Sequence, residues 1–230
     1  MNLYAALRAI ADTPHAPFLT TPQGRTLTYG DLEAGSARLA NALVEAGVQP
    51  GDRVAVQIEK SPEVVLLYLA CLRAGAVYLP LNTAYTLNEL AYFIGDAQPR
   101  VVICDPKGEA GLAALDAAVL TLDAAGQGSL SDLAAGQAST FDTVPRDDGD
   151  LAAILYTSGT TGRSKGAMLT HANLASNAST LVQAWRFTSA DVLLHALPIF
   201  HVHGLFVALN VPLMAGAALI FLPKFDPDAV

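Results

Sequence analysis

Short apolar runs with the composition of strands recur along this chain, and amphipathic stretches separate them. The runs are GDRVAVQI (51–58), AVYLPL (76–81), RVVICD (100–105), AVLTLD (118–123) and LAAILY (151–156). Between them the spacing predicts helices with recognisable ends. Thr28 caps a helix that runs through Asp31, Leu32, Leu39, Leu43 and Val44 and stops at Gly47. Ser61-Pro62-Glu63 opens another, with proline at the first helical position, ending at Gly75. A third starts at Thr86, in TLNELAYFIGDA. Residues 2–12 read as a short amphipathic helix, and 18–29 as a hairpin around Pro22-Gln23-Gly24. Residues 106–150 read as small surface helices around AVLTLD, ending in the linker VPRDDGD, with a subdivision of the chain at 145–150 left open. Strands alternating with helices in this way predict an α/β architecture, layered helices on largely parallel sheets. In such sheets ligands sit where the chain leaves the carboxyl end of a strand.

Charge and cysteine content narrow the function classes. The chain carries 13 basic and 21 acidic residues, a net charge of −8, which argues against nucleic acid as a partner. An anionic ligand must therefore be held by local positive charge and backbone N–H groups. Cys71 and Cys104 match no metal spacing and lie in apolar surroundings, as buried reduced thiols of a cytoplasmic protein do. The N-terminus has no basic segment leading into an apolar core, so secretion is not expected. The stretch from Gly204 to Pro223 is apolar and long enough to span a bilayer, but Asn210, Pro212 and Gly216 interrupt it. It reads as a buried helix, a glycine turn and a buried strand, with no membrane span.

LAAILY runs directly into TSGTTGRSKG, the most polar and glycine-rich loop of the chain. A Walker A loop needs glycine, four residues, then Gly-Lys and a hydroxyl residue; the spacing here fails that test. The ingredients still suit a triphosphate. Gly159 and Gly162 let the backbone approach oxygens closely. Thr157, Ser158, Thr160, Thr161 and Ser164 offer hydroxyl groups, and Lys165 is a mobile point charge. An ordinary polar loop has a similar composition.

The whole string, Tyr156 to Gly166, resembles the signature loop of the adenylate-forming superfamily, which includes acyl-CoA synthetases, nonribosomal-peptide adenylation domains and luciferases. LTYGDL (27–32), GDRVAV (51–56), LRAGAVYLPLN (72–82), LTHANL (169–174) and HALPIFHVHGL (195–205) extend the resemblance over residues 25–230. Within the superfamily, NTAYTLNELAYFI, GRSKGAMLTHANLASNA, HALPIFHVHGLF and FLPKFDPD are closest in wording to the malonyl-CoA synthetases.

The resemblance implies a two-step reaction with ATP, Mg²⁺ and coenzyme A: a carboxylate is adenylated, and the thiol then displaces AMP. It implies that Thr157, Ser158, Gly159, Thr160, Thr161, Gly162, Arg163, Ser164 and Lys165 wrap the ATP phosphates. Lys165 would neutralise departing pyrophosphate, and Thr157 would contact Mg²⁺. His201 matches the position that lines the carboxylate pocket and shifts between the half-reactions, and Gly204 would leave room for the acyl chain. Malonate is the favoured substrate; its second carboxylate requires a cation, and none of the quoted residues supplies one.

Other readings stay open beside these. His201 and His203 on an extended segment would share a face and, with His195, form a metal site; satisfied core histidines are the plainer alternative. His171 reads as support for the start of its helix. Asp147, Asp148 and Asp150 read as a solvated linker, and Glu59-Lys60 as a strand end. Members of the superfamily are about twice this length, so the chain reads as the N-terminal portion of the AMP-binding domain. The C-terminal remainder, with the lid domain, is the expected partner, and the 230 residues alone are expected to be inactive. A domain that loads another carboxylate onto a carrier thiol, and a non-catalytic nucleotide-binding module, are the alternatives.

Overall fold

A computed structural model describes residues 1–7, 13–115, 117–157 and 163–228. Two sheets organise them. The larger has the order β6-β5-β3-β4-β7-β8, from Val119–Thr121, Val101–Cys104, Arg53–Gln57, Val77–Pro80, Leu151–Thr157 and Lys165–Thr170. Its pairs are parallel except β7 with β8, which is antiparallel. The smaller sheet runs β2-β1-β10-β9, from Thr26–Thr28, Pro17–Thr20, Ala218–Phe221 and Val192–His195. There β1, β10 and β9 are parallel, and β2 closes the expected hairpin on β1.

Both faces of the inner strands β5, β3 and β4 are covered, so these strands need apolar side chains on both sides. Val54, Val56, Tyr78, Val101 and Ile103 enter one core, shared with the smaller sheet through Phe18, Leu19, Leu219 and Phe221. Helices α2 (Tyr29–Glu45) and α3 (Pro62–Arg73) pack on each other and contribute to that core. The alternate residues Ala55, Val77, Leu79, Val102 and Cys104 face a second core. Helices α4 (Leu87–Ala97) and α5 (Glu109–Ala113) cover it with Leu90, Phe93 and Leu112. Cys71 and Cys104 are free and buried, one in each core, and burial raises both thiols, Cys104 to about 11.

The helix ends follow their sequence signals closely. Thr28 and Asp31 form a reciprocal capping box on α2, and Thr86 and Glu89 form another on α4. Ser61 differs: α3 starts where expected, with Pro62 in its first turn, but the Ser61 hydroxyl makes no cap bond and is buried without a partner. Helix α1 covers Leu3–Leu7; the rest of the predicted 2–12 helix lies outside the described residues. In the apolar C-terminal stretch, a helix α8 (Asn210–Ala215), Gly216 at φ +77° and β10 follow one another. No helix among the described residues is long and apolar enough to cross a membrane.

Candidate active site

The polar loop joins the antiparallel strands β7 and β8, so it is a hairpin loop and does not lead into a helix. Ser158, Gly159, Thr160, Thr161 and Gly162 lie outside the described residues; the two roots of the loop are described. Thr157 and Lys165 are register partners, and both side chains are exposed. They therefore stand side by side on one face. Among the described residues the Thr157 hydroxyl makes only a long 3.5 Å bond, to the Lys165 carbonyl.

On the opposite face, Tyr156 pairs with Gly166. A Cβ at Gly166 would stand 3.0 Å from Ile154 Cγ2, a tight approach, and 3.6 Å from the Tyr156 ring, an ordinary contact, so the glycine makes room chiefly for Ile154. That ring stacks on Phe93 of α4, with centroids 4.4 Å apart, and its hydroxyl donates to Asp96 at 2.5 Å. Burial and the Asp96 carboxylate both raise the Tyr156 phenol, which stays protonated. One turn earlier on α4, Tyr92 donates its hydroxyl to the Ser164 carbonyl at 2.8 Å. The Arg163 guanidinium sits 5.6 Å over the Tyr92 ring. Helix α4 thus supports both sides of the loop, through Asp96 under one root and Tyr92 under the other. Neither residue was singled out from sequence, although Tyr92 and Asp96 at i, i+4 on a capped helix mark one face.

His201 and Gly204 lie in a different place, between β9 and β10 of the smaller sheet. Helix α7 (His171–Trp185), which follows β8, packs against both β7 and the turn at 203–207. His201 and His203 are exposed. The segment is not extended: Val202 is helical and His203–Val207 form one π-helical turn, so the shared-face argument for a metal site fails. His195 is also committed elsewhere. Fully buried, it places Nε2 2.8 Å from the Gly204 carbonyl and Nδ1 2.8 Å from Lys60 Nζ. Among the described residues no group of three histidine, cysteine or acidic side chains is placed to hold a metal. Gly204 is buried, and a Cβ there would meet the Pro198 carbonyl oxygen at 2.0 Å. The close approach of two backbone segments demands glycine at that position.

His171 opens α7 and is fully buried, accepting the Leu3 N–H at Nδ1 over 3.0 Å; it ties the N-terminal helix to the fold. Burial pushes this imidazole and that of His195 down to about 4, so both are neutral near pH 7. Lys60 is no strand end. Its ammonium bonds the ring and carbonyl of His195, each at 2.8 Å, and lies 4.4 Å over the Phe221 ring.

A β-hairpin loop with exposed hydroxyl and ammonium groups at its root, at the carboxyl end of a parallel strand, stands where α/β proteins bind their ligands. The family model for the AMP-binding enzyme matches residues 7–230, and the chain belongs to that family. It is similar to MatB from Rhodopseudomonas palustris, at 59% identity and a TM-score of 0.96 over 99% of this chain and 46% of that one. The ATP-bound structure of MatB matches equally well. The feruloyl-CoA synthase of an Amycolatopsis species is 37% identical over 222 residues, 95% of this chain and 43% of that protein. The chain therefore spans less than half the length of these relatives.

Proposed function

We propose that the chain forms the phosphate-binding portion of an ATP-dependent carboxylate–CoA ligase whose substrate is malonate. The observation that carries this reading is the paired root Thr157–Lys165, open on one face and supported by α4 on the other, in a chain of the AMP-binding enzyme family. A carboxylate oxygen attacks the α-phosphorus of ATP, the α–β bridging bond breaks, and pyrophosphate leaves with both electrons. The coenzyme A thiolate then attacks the acyl carbon and expels AMP. The first step brings two anions together, so positive charge on the phosphates lowers its barrier. Residues 157–165 wrap the β- and γ-phosphates, and the Lys165 ammonium balances charge on departing pyrophosphate. Thr157 offers Mg²⁺ one hard hydroxyl oxygen, which fits a site completed by phosphate oxygens, water and a carboxylate from the remainder of the enzyme. When bound, Mg²⁺ supplies further charge neutralisation on the phosphates.

His201 lines the carboxylate side, and Gly204, which the close approach of the Pro198 carbonyl also requires, leaves room for the acyl chain. Malonate is supported by the wording shared with the malonyl-CoA synthetases and by the 59% identity to MatB. The reaction is assigned to the cytoplasm, where free Cys71 and Cys104 stay reduced. A panel of carboxylates with ATP and coenzyme A, assayed on a longer chain that includes a C-terminal half, tests this directly. Malonate should turn over fastest; preference for acetate or a long-chain acid would refute it. Acyl transfer only to a carrier-bound thiol would move the assignment to a carrier-loading domain, and ATP binding indifferent to carboxylate to a binding module. Robust ATP–pyrophosphate exchange by the 230 residues alone would show that no remainder is needed.

A further inference from the structure

Lys60 lies just before α3 and His195 at the end of β9, yet the two side chains meet at the edge of the core, Lys60 half-buried and His195 fully buried. A lysine in such a place requires partners, because an unpaired buried ammonium is expensive. Both of its hydrogen bonds end on one residue, the Nδ1 and the carbonyl oxygen of His195. The chemistry of those partners settles the proton positions. The Gly204 carbonyl can only accept, so His195 Nε2 carries the hydrogen and Nδ1 accepts from the ammonium. The result is a directional chain, Lys60 to His195 to Gly204, that closes the two ends of segment 196–203 on each other. His201 stands in that segment, and its carbonyl accepts the Leu205 N–H at 2.9 Å.

From this geometry we infer that Lys60 is a positioning residue for the acyl-side turn: it orients His195, which holds the Gly204 carbonyl and thereby the 201–207 turn that carries His201. The inference rests on the reading of His201 given above. Burial, and then the charge on Lys60, lower His195 and keep it neutral, in accord with an Nδ1 that accepts, while burial lowers Lys60 itself to about 7. Beside the ammonium is a cavity of about 280 Å³ lined by Thr21, Gln23, Arg25, Ser61 and Phe221, which has space for a larger cationic head.

Amide hydrogen exchange on the 230-residue chain tests the chain of contacts without any assay of activity. Lys60→Met fills the space but donates nothing, and should speed exchange of the Leu205 and Ala208 amides about tenfold while those of β3 stay protected. Lys60→Arg, which keeps the donors, should restore protection. His195→Phe should reproduce the Lys60→Met pattern, and serves if that variant fails to fold. In the longer enzyme, Lys60→Met should lower kcat about tenfold with KM for ATP unchanged, and Lys60→Arg should recover it. Unchanged exchange at Leu205 and Ala208, a loss of protection shared equally with β3, or no recovery with arginine would each overturn the inference. A wild-type longer chain with no carboxylate-dependent turnover would instead sink the ligase reading, and the exchange pattern would still decide the role of Lys60.

Discussion

The root of the β7–β8 hairpin and the His201 side chain are both exposed, but the segments that carry them are held in place by different means. Rings and two phenol hydrogen bonds from one surface helix support the hairpin, with Tyr92 and Asp96 on successive turns of α4. The His201 turn is held from inside, by a buried imidazole, a half-buried ammonium and a glycine pressed against a backbone oxygen. Half-exposed polar supports such as these phenols can be lost at modest cost, because water reaches the partner left behind. Buried polar supports cannot, because the remaining partner is left without one. The hairpin should therefore tolerate changes in its supports and be sensitive in its open ammonium, and the turn should show the reverse.

The largest expected effect falls on the open face of the hairpin. Lys165→Met should leave stability within about 0.5 kcal/mol, yet lower ATP–pyrophosphate exchange in the longer enzyme by about 100-fold. Equal losses in melting temperature and exchange would erase the contrast. Next comes the glycine pair. Gly204→Ala drives a Cβ into the Pro198 carbonyl and should cost about 3 kcal/mol in a denaturant titration. Gly166→Ala meets only side-chain atoms, the nearest at 3.0 Å, and should cost about 1 kcal/mol. A larger penalty at 166 than at 204 would reverse the assignment of rigid and adaptable supports.

Acid should act on the buried supports alone. His171 and His195 are neutral in the fold down to about pH 4, whereas in the unfolded chain they bind protons below about 6.5. Between those values the unfolded state holds more protons, so stability falls with falling pH, by about 1 kcal/mol per unit for each histidine. His195→Phe should flatten that slope in urea titrations from pH 6.5 to 4. The smallest effect belongs to Tyr92→Phe, which removes one bond to the Ser164 carbonyl and should cost about 1 kcal/mol or less in stability. A loss as large as that of Gly204→Ala would show that α4 supports more than the loop.

Much of this organisation was legible in the sequence, for local reasons. Thr28 and Thr86 announced their helices because a capping hydroxyl acts within the first turn; the reciprocal bonds to Asp31 and Glu89 were added by the structure. Asn210, Pro212 and Gly216 marked the apolar C-terminal stretch as a broken helix and a strand because their backbone preferences act where they stand. The metal reading of His201, His203 and His195 failed on a local conformation: a single π-helical turn replaced the extended segment on which it depended.

The sequence by itself determined the strand–helix alternation, most of the helix ends and the family. Those properties reside in contiguous residues, where propensity, capping and spacing operate. Only the tertiary structure decided that the loop is a hairpin, since β8 becomes a strand by pairing with β7. It alone brought Tyr92 and Asp96 beneath the loop roots and set Lys60 against His195. Each of these contacts joins residues far apart in the chain, and their burial and hydrogen bonding do not exist until the fold closes.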